Sequence, residues 1–290
     1  MNTQELLKKV RRIEIKTRRL SNHIFSGEYH SSFKGRGMAF SEVRKYEAGD
    51  DIRSIDWNVT AKLNEPYIKV FEEERELTFM LLVDVSGSGN FGSRVQLKRE
   101  MITEICATLA FSALQNNDKV GILFFSDQVE KYIPPKKGKS HILRIIRELI
   151  EIEPQSKKTD IGLALKYWAG IQKKRAIAFV LSDFMDDDYK DSLKIMAQKH
   201  DVTGIRIFDP SEKQLPKLGL VPMLDPETGK TRWIHTSSKK LNRQLKANFL
   251  KNEDYFNESF LRSGSGKISI RIDESYPSKL LAYFKQKSAK

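Results

Sequence analysis

A single cysteine, Cys106, in a chain of 290 residues excludes an internal disulfide and a cysteine-based zinc site. It falls within Ile102-Thr103-Glu104-Ile105-Cys106-Ala107-Thr108-Leu109-Ala110-Phe111, at helical spacing on the apolar side, which predicts a packed core thiol rather than a nucleophile. Histidine is scarce as well. His23, His30, His141, His200 and His235 are scattered without ligand spacing, so neither a zinc site nor a histidine-based catalytic pair is indicated. Long apolar runs are missing: the longest, Phe79 to Val83 and Ala176 to Leu181, are strand-length and far from the roughly 20 residues of a membrane helix. The basic first twenty residues are interrupted by Glu5 and Glu14, and no apolar signal core follows, so a cytoplasmic location is expected. There is no low-complexity tract and no repeat of fixed period.

What is present is an ordinary globular composition, 39% hydrophobic and 31% charged, long enough for one large domain or two small ones. The net charge of +13 lies at the two ends. The first twenty residues hold seven Lys or Arg against two Glu, and from Ser211 onward there are sixteen Lys or Arg against eight Asp or Glu. Such a field favours acidic partners, whether nucleic acid or an acidic protein surface. The basic residues lie on apparent helix faces, without interleaved aromatics or a nucleic-acid motif, so a solvated basic face is the expectation and nucleic acid an unlikely partner.

One stretch organises the rest. Phe79-Met80-Leu81-Leu82-Val83 reads as a strand buried on both faces, and it ends in Asp84, followed by Ser86 and Ser88 at alternate positions in a Gly-containing loop. Asp84 is the first charge this strand presents as it leaves the core. One carboxylate and two hydroxyls are hard oxygen ligands suited to Mg2+ or Mn2+ with water. The competing reading is a strand end that caps the next helix.

Ahead of that strand, residues 1 to about 20 read as a basic amphipathic helix with Leu6, Leu7, Val10, Ile13 and Ile15 as its stripe. Residues 21 to 48 read as a loop region. Its Ser31-Ser32-Phe33-Lys34-Gly35-Arg36-Gly37-Met38 lacks the Gly-Lys-Ser/Thr ending of a nucleotide loop. In Arg44 to Trp57, Asp51, Arg53 and Asp56 are expected to form ion pairs around Trp57, a structural knot fastening an N-terminal extension, residues 1–75, onto the main domain. Tyr67 to Phe71 alternates as a half-exposed strand.

Beyond the serine loop, Val95 to Leu114 is helical by spacing, and Lys119 to Ser126 is a second buried strand. Val129 to Ile133 reads as a short edge strand, and His141 to Ile152 as a helix. Thr159 stands at the mouth of another helix, where its hydroxyl can cap or bind an ion. Ala176 to Leu181 is a third buried strand, closed by Ser182 and Asp183. Alternating strand and helix predicts an α/β fold, a doubly wound, mostly parallel sheet flanked by helices. In such a sheet Asp84 and Asp183 open on the same edge. After Val202 to Phe208, a hairpin around Pro226-Glu227-Thr228-Gly229 and a long basic helix from Ser238 to about Leu261 form an insertion at about 211–264 of a main domain spanning 76–290. A strand from Lys267 to Ile272 and a helix from Pro277 to Lys287 follow.

Asp84-x-Ser86-x-Ser88, Thr159 in a Thr-Asp-Ile-Gly-x-Ala-Leu context, and Asp183 at a strand end resemble a von Willebrand factor A domain with a metal-ion-dependent adhesion site. The stretch Lys34 to Trp57 resembles the hallmark of the bacterial family called domain of unknown function 58. Together the two cover roughly residues 25 to 210. The resemblance implies that Asp84, Ser86, Ser88 and Thr159 hold Mg2+ directly or through water, with Asp183 behind them. It also implies a partner protein that offers a Glu or Asp to the metal, and an association with MoxR-type AAA ATPases. Two departures stand out: the N-terminal membrane helices common in the family are absent, and Gly89 stands where Met is common.

The expected function is therefore a metal-dependent protein interaction module without catalysis, an adaptor for a MoxR-type AAA ATPase in assembly or maturation of other proteins. The alternative is a metal-dependent, phosphatase-like hydrolase with Asp84 as nucleophile. Ser86 stands where such an enzyme would carry a second acid.

Overall fold

The computed structural model describes residues 5, 8, 10–17, 39–72, 76–90, 97–224 and 231–288. Two compact units emerge: Phe33–Leu77, and Met1–Ser32 together with Thr78–Lys290. Residues 1–75 thus do not form one extension, because the N-terminal helix groups with the larger unit.

In the smaller unit, strand β1 (Ala39–Lys45) pairs antiparallel with β2 (Tyr67–Glu72), with a bulge between Phe40 and Glu42. The loop expected over 21 to 48 therefore becomes a strand from Ala39, because the Tyr67 strand needs a partner for its backbone groups. Between the strands lies a short helix, Trp57–Leu63. The acidic cluster mainly organises backbone. Asp51 accepts from the Arg53 N–H at 3.0 Å, and Asp56 caps the helix by accepting from the Asn58 and Val59 N–H groups at 3.0 and 3.3 Å. Asp56 also pairs with Lys69 at 3.5 Å, and the two-pronged ion pair joins Arg44 to Asp50 at 2.7 and 2.8 Å. Trp57 is 67% exposed, so the expected knot of ion pairs around a central Trp57 is not formed. The Ser31–Met38 stretch lies outside the described residues.

The larger unit is built on a six-stranded sheet. In chain order its strands are β3 (Thr78–Asp84), β4 (Lys119–Phe125), β5 (Val129–Lys136), β6 (Ile177–Ser182), β7 (Asp201–Phe208) and β10 (Gly266–Arg271). Their spatial order is β10-β7-β6-β3-β4-β5, all parallel except β5, which runs antiparallel along β4 at the edge. That is the doubly wound, mostly parallel arrangement anticipated from the sequence. An edge position also explains how β5 tolerates Pro134 and Pro135 and extends beyond the expected Ile133. From β3 the chain first builds outward through β4 and β5, then returns to the other side of β3 for β6, β7 and β10. The order therefore reverses at β3, and a crevice opens outside its carboxyl end.

Phe79 to Val83 are essentially inaccessible, and burial of each side chain contributes about 1.5–3 kcal/mol relative to exposure. Helices cover both faces: Lys98–Gln115, Lys139–Glu151, Ile161–Ile171, Lys190–Lys199, Lys239–Arg262 and Tyr276–Ser288. Cys106 is buried in the first of these, as its spacing predicts, and burial raises the pKa of its thiol. Residues 10–17 are helical, tied by Lys16 to Glu104 at 2.6 Å and by Glu14 to Lys139 at 2.7 Å. Val10 of its expected stripe is buried but Ile15 is exposed, while Leu6 and Leu7 lie outside the described residues. Between β7 and β10 come a single helical turn (Pro210–Lys213), the hairpin strands β8 (Leu220–Leu224) and β9 (Thr231–His235), and the long helix Lys239–Arg262, capped by Ser238. No helix among the described residues is long and apolar enough to cross a membrane.

Candidate metal centre

Asp84 ends β3 at the point where the strand order reverses, and it is 5% exposed. Its Oδ1 accepts from the Ser86 N–H at 2.9 Å, which turns the chain back immediately after the strand. Its Oδ2 accepts from the Ser182 hydroxyl at 2.6 Å, a bond that spans neighbouring strands β3 and β6. Ser86 Oγ lies 3.1 Å from Ser88 Oγ, and the Ser88 hydroxyl reaches Asp183. The Ser86 hydroxyl also bonds Asp84, so a hydroxyl chain joins Asp84 at the end of β3 to Asp183 just after β6.

Three loops meet here, each held by hydrogen bonds to neighbouring backbone. The serine loop is fixed to the segment before Thr159 by the Gly87 N–H, which donates to the Lys157 carbonyl at 3.0 Å. Glu130 supports that second segment from below, accepting from the Ser126 hydroxyl at 2.6 Å and from the Gln155 and Ser156 N–H groups at 3.0 and 3.1 Å. Thr159 follows, half-buried, at the mouth of helix Ile161–Ile171. The cap itself is Asp160, which accepts from the Leu163 N–H at 2.7 Å. Asp183 opens the third loop, which is bound to the same helix through Asp186 Oδ2 and the Ile161 N–H at 2.8 Å.

Phe184 is held at a φ of 54°, a left-handed conformation costing on the order of 1–3 kcal/mol for a bulky residue. Its ring is fully buried between Phe256 (4.6 Å), Phe260 (5.5 Å) and Tyr189 (5.6 Å), and its N–H donates to Ser182 Oγ at 3.0 Å. The packing of Phe184 therefore fixes the turn immediately after Asp183.

The sequence did not single out Lys98. It begins the helix after the serine loop and is buried, with Nζ 2.7 Å from Asp183 Oδ2 and 2.7 Å from Glu212 Oε1. Nor did it single out Glu212, in the single turn after β7, or Arg206, whose Nε donates to the Asp183 carbonyl at 3.3 Å and whose guanidinium lies over Phe249 at 4.5 Å. Lys98 was legible only as one more basic residue near a helix start, and its partners lie 85 and 114 positions away.

Electrostatics separate the two aspartates. Burial and the Asp183 charge raise Asp84 to about 6, despite the hydrogen bonds from Ser182 and Ser86. Burial also pushes Asp183 upward, but the Lys98 charge and hydrogen bond, with help from Ser88 and the Met185 N–H, outweigh it and hold Asp183 below the usual carboxylate range. Lys98 pairs with Asp183 and Glu212, whereas among the described residues no cation is paired with Asp84.

That imbalance is the test of whether these residues suit a divalent ion, and they do. The donors are hard oxygens: the Asp84 carboxylate, the Ser86 and Ser88 hydroxyls, and the Thr159 hydroxyl on the adjoining segment. Among the described residues no three of His, Cys, Asp and Glu gather into a metal-holding group, so a cation here would rely on hydroxyls and water. Beneath the loop a small cavity is lined by Val83, Gly89, Arg99, Ile102, Thr103 and Leu149. A Cβ built on Gly89 would have no neighbour closer than 4.0 Å, so the missing side chain leaves space under the loop rather than altering the donors.

The family described as Protein of unknown function DUF58 matches over residues 42–255. The uncharacterized protein Mb1516 of Mycobacterium bovis is 27% identical over 226 residues, covering 77% of this chain and 71% of that one. Among solved structures, the conserved hypothetical protein BatB from Bacteroides thetaiotaomicron aligns with a TM-score of 0.45 at 17% identity, over 74% of this chain and 100% of that one. The SpRpn10 VWA domain aligns with a TM-score of 0.36 at 13% identity, over 71% of this chain and 94% of that one.

Proposed function

Taking as premise that the chain belongs to the family described as Protein of unknown function DUF58, we propose that it is a metal-dependent protein interaction module whose contact point is the crevice at the end of β3. The observation that carries this reading is the joining of Asp84 to Asp183 through Ser86 and Ser88, with Lys98 paired to Asp183 and Glu212 and not to Asp84. Asp84, Ser86, Ser88 and Thr159 would hold the ion, Mg2+ or Mn2+, and Asp183 would orient Ser88 from behind. When bound, the ion would supply positive charge at an otherwise buried, acid-rich crevice. A Glu or Asp side chain of the partner would then gain a charge-assisted contact, while the surrounding loops decide which partner fits.

This chain's residues do the positioning. Ser182 and the Ser86 N–H fix the Asp84 carboxylate, Lys98 holds Asp183, and Glu130 holds the segment that carries Thr159. The family resemblance supports a MoxR-type AAA ATPase as partner, a role in assembly or maturation of other proteins, and a cytoplasmic location. The reading assigns no catalysis.

The test is a pull-down from native lysate with the immobilised protein in Mg2+, in EDTA, and with Asp84→Ala. Recovery of an AAA ATPase or a defined client only with Mg2+ and intact Asp84 is the expected result. The same partners in all three samples would remove the crevice as the contact surface. Turnover of phosphate esters that vanishes in Asp84→Asn would support the hydrolase alternative instead.

A further inference from the structure

The hairpin β8–β9 carries an apolar face that the other described residues leave exposed. Its register pairs Leu220 with His235, Val221 with Ile234, Pro222 with Trp233 and Met223 with Arg232. Paired residues share a face and successive pairs alternate, so Leu220, Pro222, Trp233 and His235 lie on one side. That side faces outward: Leu220 is 61% and Trp233 67% exposed, and Leu218, just before the strand, is 66% exposed. Val221, Met223 and Ile234 on the opposite side are half-buried. A large aromatic and three aliphatic side chains are thus presented together.

Among the described residues of the hairpin and the start of the long helix, the charge is of one sign. Across residues 214–224 and 231–246 there are six basic side chains, Lys217, Arg232, Lys239, Lys240, Arg243 and Lys246, and no Asp or Glu. All six are exposed. Asp225 and Glu227 lie outside the described residues. The hairpin base and the long helix are stapled into one surface. Asn242 Nδ2 donates to the Thr236 carbonyl at 2.7 Å, its Oδ1 accepts from the Leu215 N–H at 3.1 Å, and Thr236 Oγ1 donates to the Gly219 carbonyl at 2.9 Å. The first turn of that 24-residue helix has no acidic residue, and Lys239 and Lys240 sit at its positive dipole end. Cations there oppose the helix dipole and are locally unfavourable. An anionic partner relieves that repulsion.

We propose that this hairpin and the start of the long helix form a docking surface for an anionic lipid bilayer. Trp233, Leu220, Pro222 and Leu218 would enter the interfacial region, where amphipathic tryptophan is favoured, while the flanking lysines and arginines would meet lipid phosphates. Aliphatic residues outnumber the single aromatic on this face, which suits a lipid interface better than the stacked aromatic platform that nucleic acid requires. Neither the metal crevice nor its ligands take part, so the surface would act independently of the protein contact proposed above.

The test is co-sedimentation of the full chain with vesicles of phosphatidylglycerol and phosphatidylcholine, compared with phosphatidylcholine alone, in EDTA so that the crevice plays no role. Binding is expected only to the anionic vesicles. Trp233→Ser and Leu220→Ser, both at exposed positions, should each weaken it by about tenfold with unchanged thermal unfolding. Lys239→Gln with Lys240→Gln should weaken it by roughly twentyfold or more, at about fivefold per cation. Failure to sediment with anionic vesicles would overturn the proposal, as would equal binding by both serine variants. Trp233-dependent binding to single-stranded DNA without vesicle binding would reassign the surface to nucleic acid.

Discussion

The Lys98 ammonium stands 2.7 Å from the Asp183 carboxylate, and both side chains are almost completely buried. The same ammonium reaches Glu212 at 2.7 Å, so one cation serves two carboxylates from different elements of the larger unit. Burial alone would lower the Lys98 pKa, yet the two acids raise it above its ordinary value, which keeps the ammonium charged. Removing this cation should be costly because it strands two buried acids. Lys98→Met is expected to lower unfolding stability by about 3–5 kcal/mol, as for loss of one partner of a buried ion pair. Urea unfolding of Lys98→Met and of a triple variant with Asp183→Asn and Glu212→Gln checks this. The triple variant should recover most of the loss, and a loss below about 1 kcal/mol in the single variant would contradict the pairing.

The shortage of cations at Asp84 gives a different expectation. Its pKa is raised to about 6 by burial and by Asp183, so its ionised form destabilises the metal-free fold as pH rises from the ordinary carboxylate range through about 6. At pH 8 in EDTA, Asp84→Asn should therefore be as stable as the unaltered protein or more so. Added Mg2+ should reverse the order, raising the melting temperature of the unaltered protein by the equivalent of about 2.7 kcal/mol at a hundredfold excess over the dissociation constant. Asp84→Asn should show no such rise. A melting temperature that ignores Mg2+ in the unaltered protein would remove the metal reading.

The parts of this site that were legible in the sequence are those written as local pattern. Two buried strands that end in Asp84 and Asp183 announce themselves because an apolar run stops at a charge, and parallel pairing then brings both ends to one edge. The parts that were not legible depend on side chains meeting across long separations. Ser182 reads as one more residue of a strand end, and only the β3–β6 register makes it the partner of Asp84. Lys98 and Glu212 read as ordinary surface charges until the fold buries them together. The strand Ala39–Lys45 was hidden because its Ser and Glu residues resemble those of a loop, and its partner lies more than twenty residues on. Thr159 reads in the sequence as a helix cap or an ion ligand, and the cap is its neighbour Asp160.

His200 sets an acid limit on the fold. It is buried against Trp168, with ring centroids 4.4 Å apart, and neither ring nitrogen has a hydrogen-bond partner among the described residues. Burial lowers its pKa, and the charges of Lys199 and Arg175 lower it further. The unfolded chain therefore takes up a proton near pH 6.5 while the folded chain does not, so stability is full above that pH and declines below it. His200→Leu removes the titrating group and keeps apolar contact with Trp168. Its stability should fall less between pH 7 and 5 than that of the unaltered protein, as measured by urea midpoints across that range. Parallel decline of the two proteins would exclude His200 as a contributor.

The long helix is locked to the sheet through a position where only hydrogen fits. A Cβ on Gly204 of β7 would clash with Cζ of Phe260 and lie 3.0 Å from Cε2 of Phe256, both fully buried ring edges from helix Lys239–Arg262. Those two rings also pack on Phe184, so they support the turn that places Asp183. Gly204→Ala should cost about 1–3 kcal/mol through overpacking, because both rings are fully buried. Shortening the opposing ring should relieve the clash. Phe260→Leu would be destabilising alone, but combined with Gly204→Ala the two losses should add to less than their sum by at least ~0.5 kcal/mol, a coupling expected of residues in direct contact. The same pair should also weaken Mg2+-dependent stabilisation, since a displaced Phe256–Phe260 layer releases Phe184 and with it the backbone that carries Asp183. Strict additivity in denaturant unfolding, with Mg2+ stabilisation intact, would mean that the aromatic layer supports the helix but not the site.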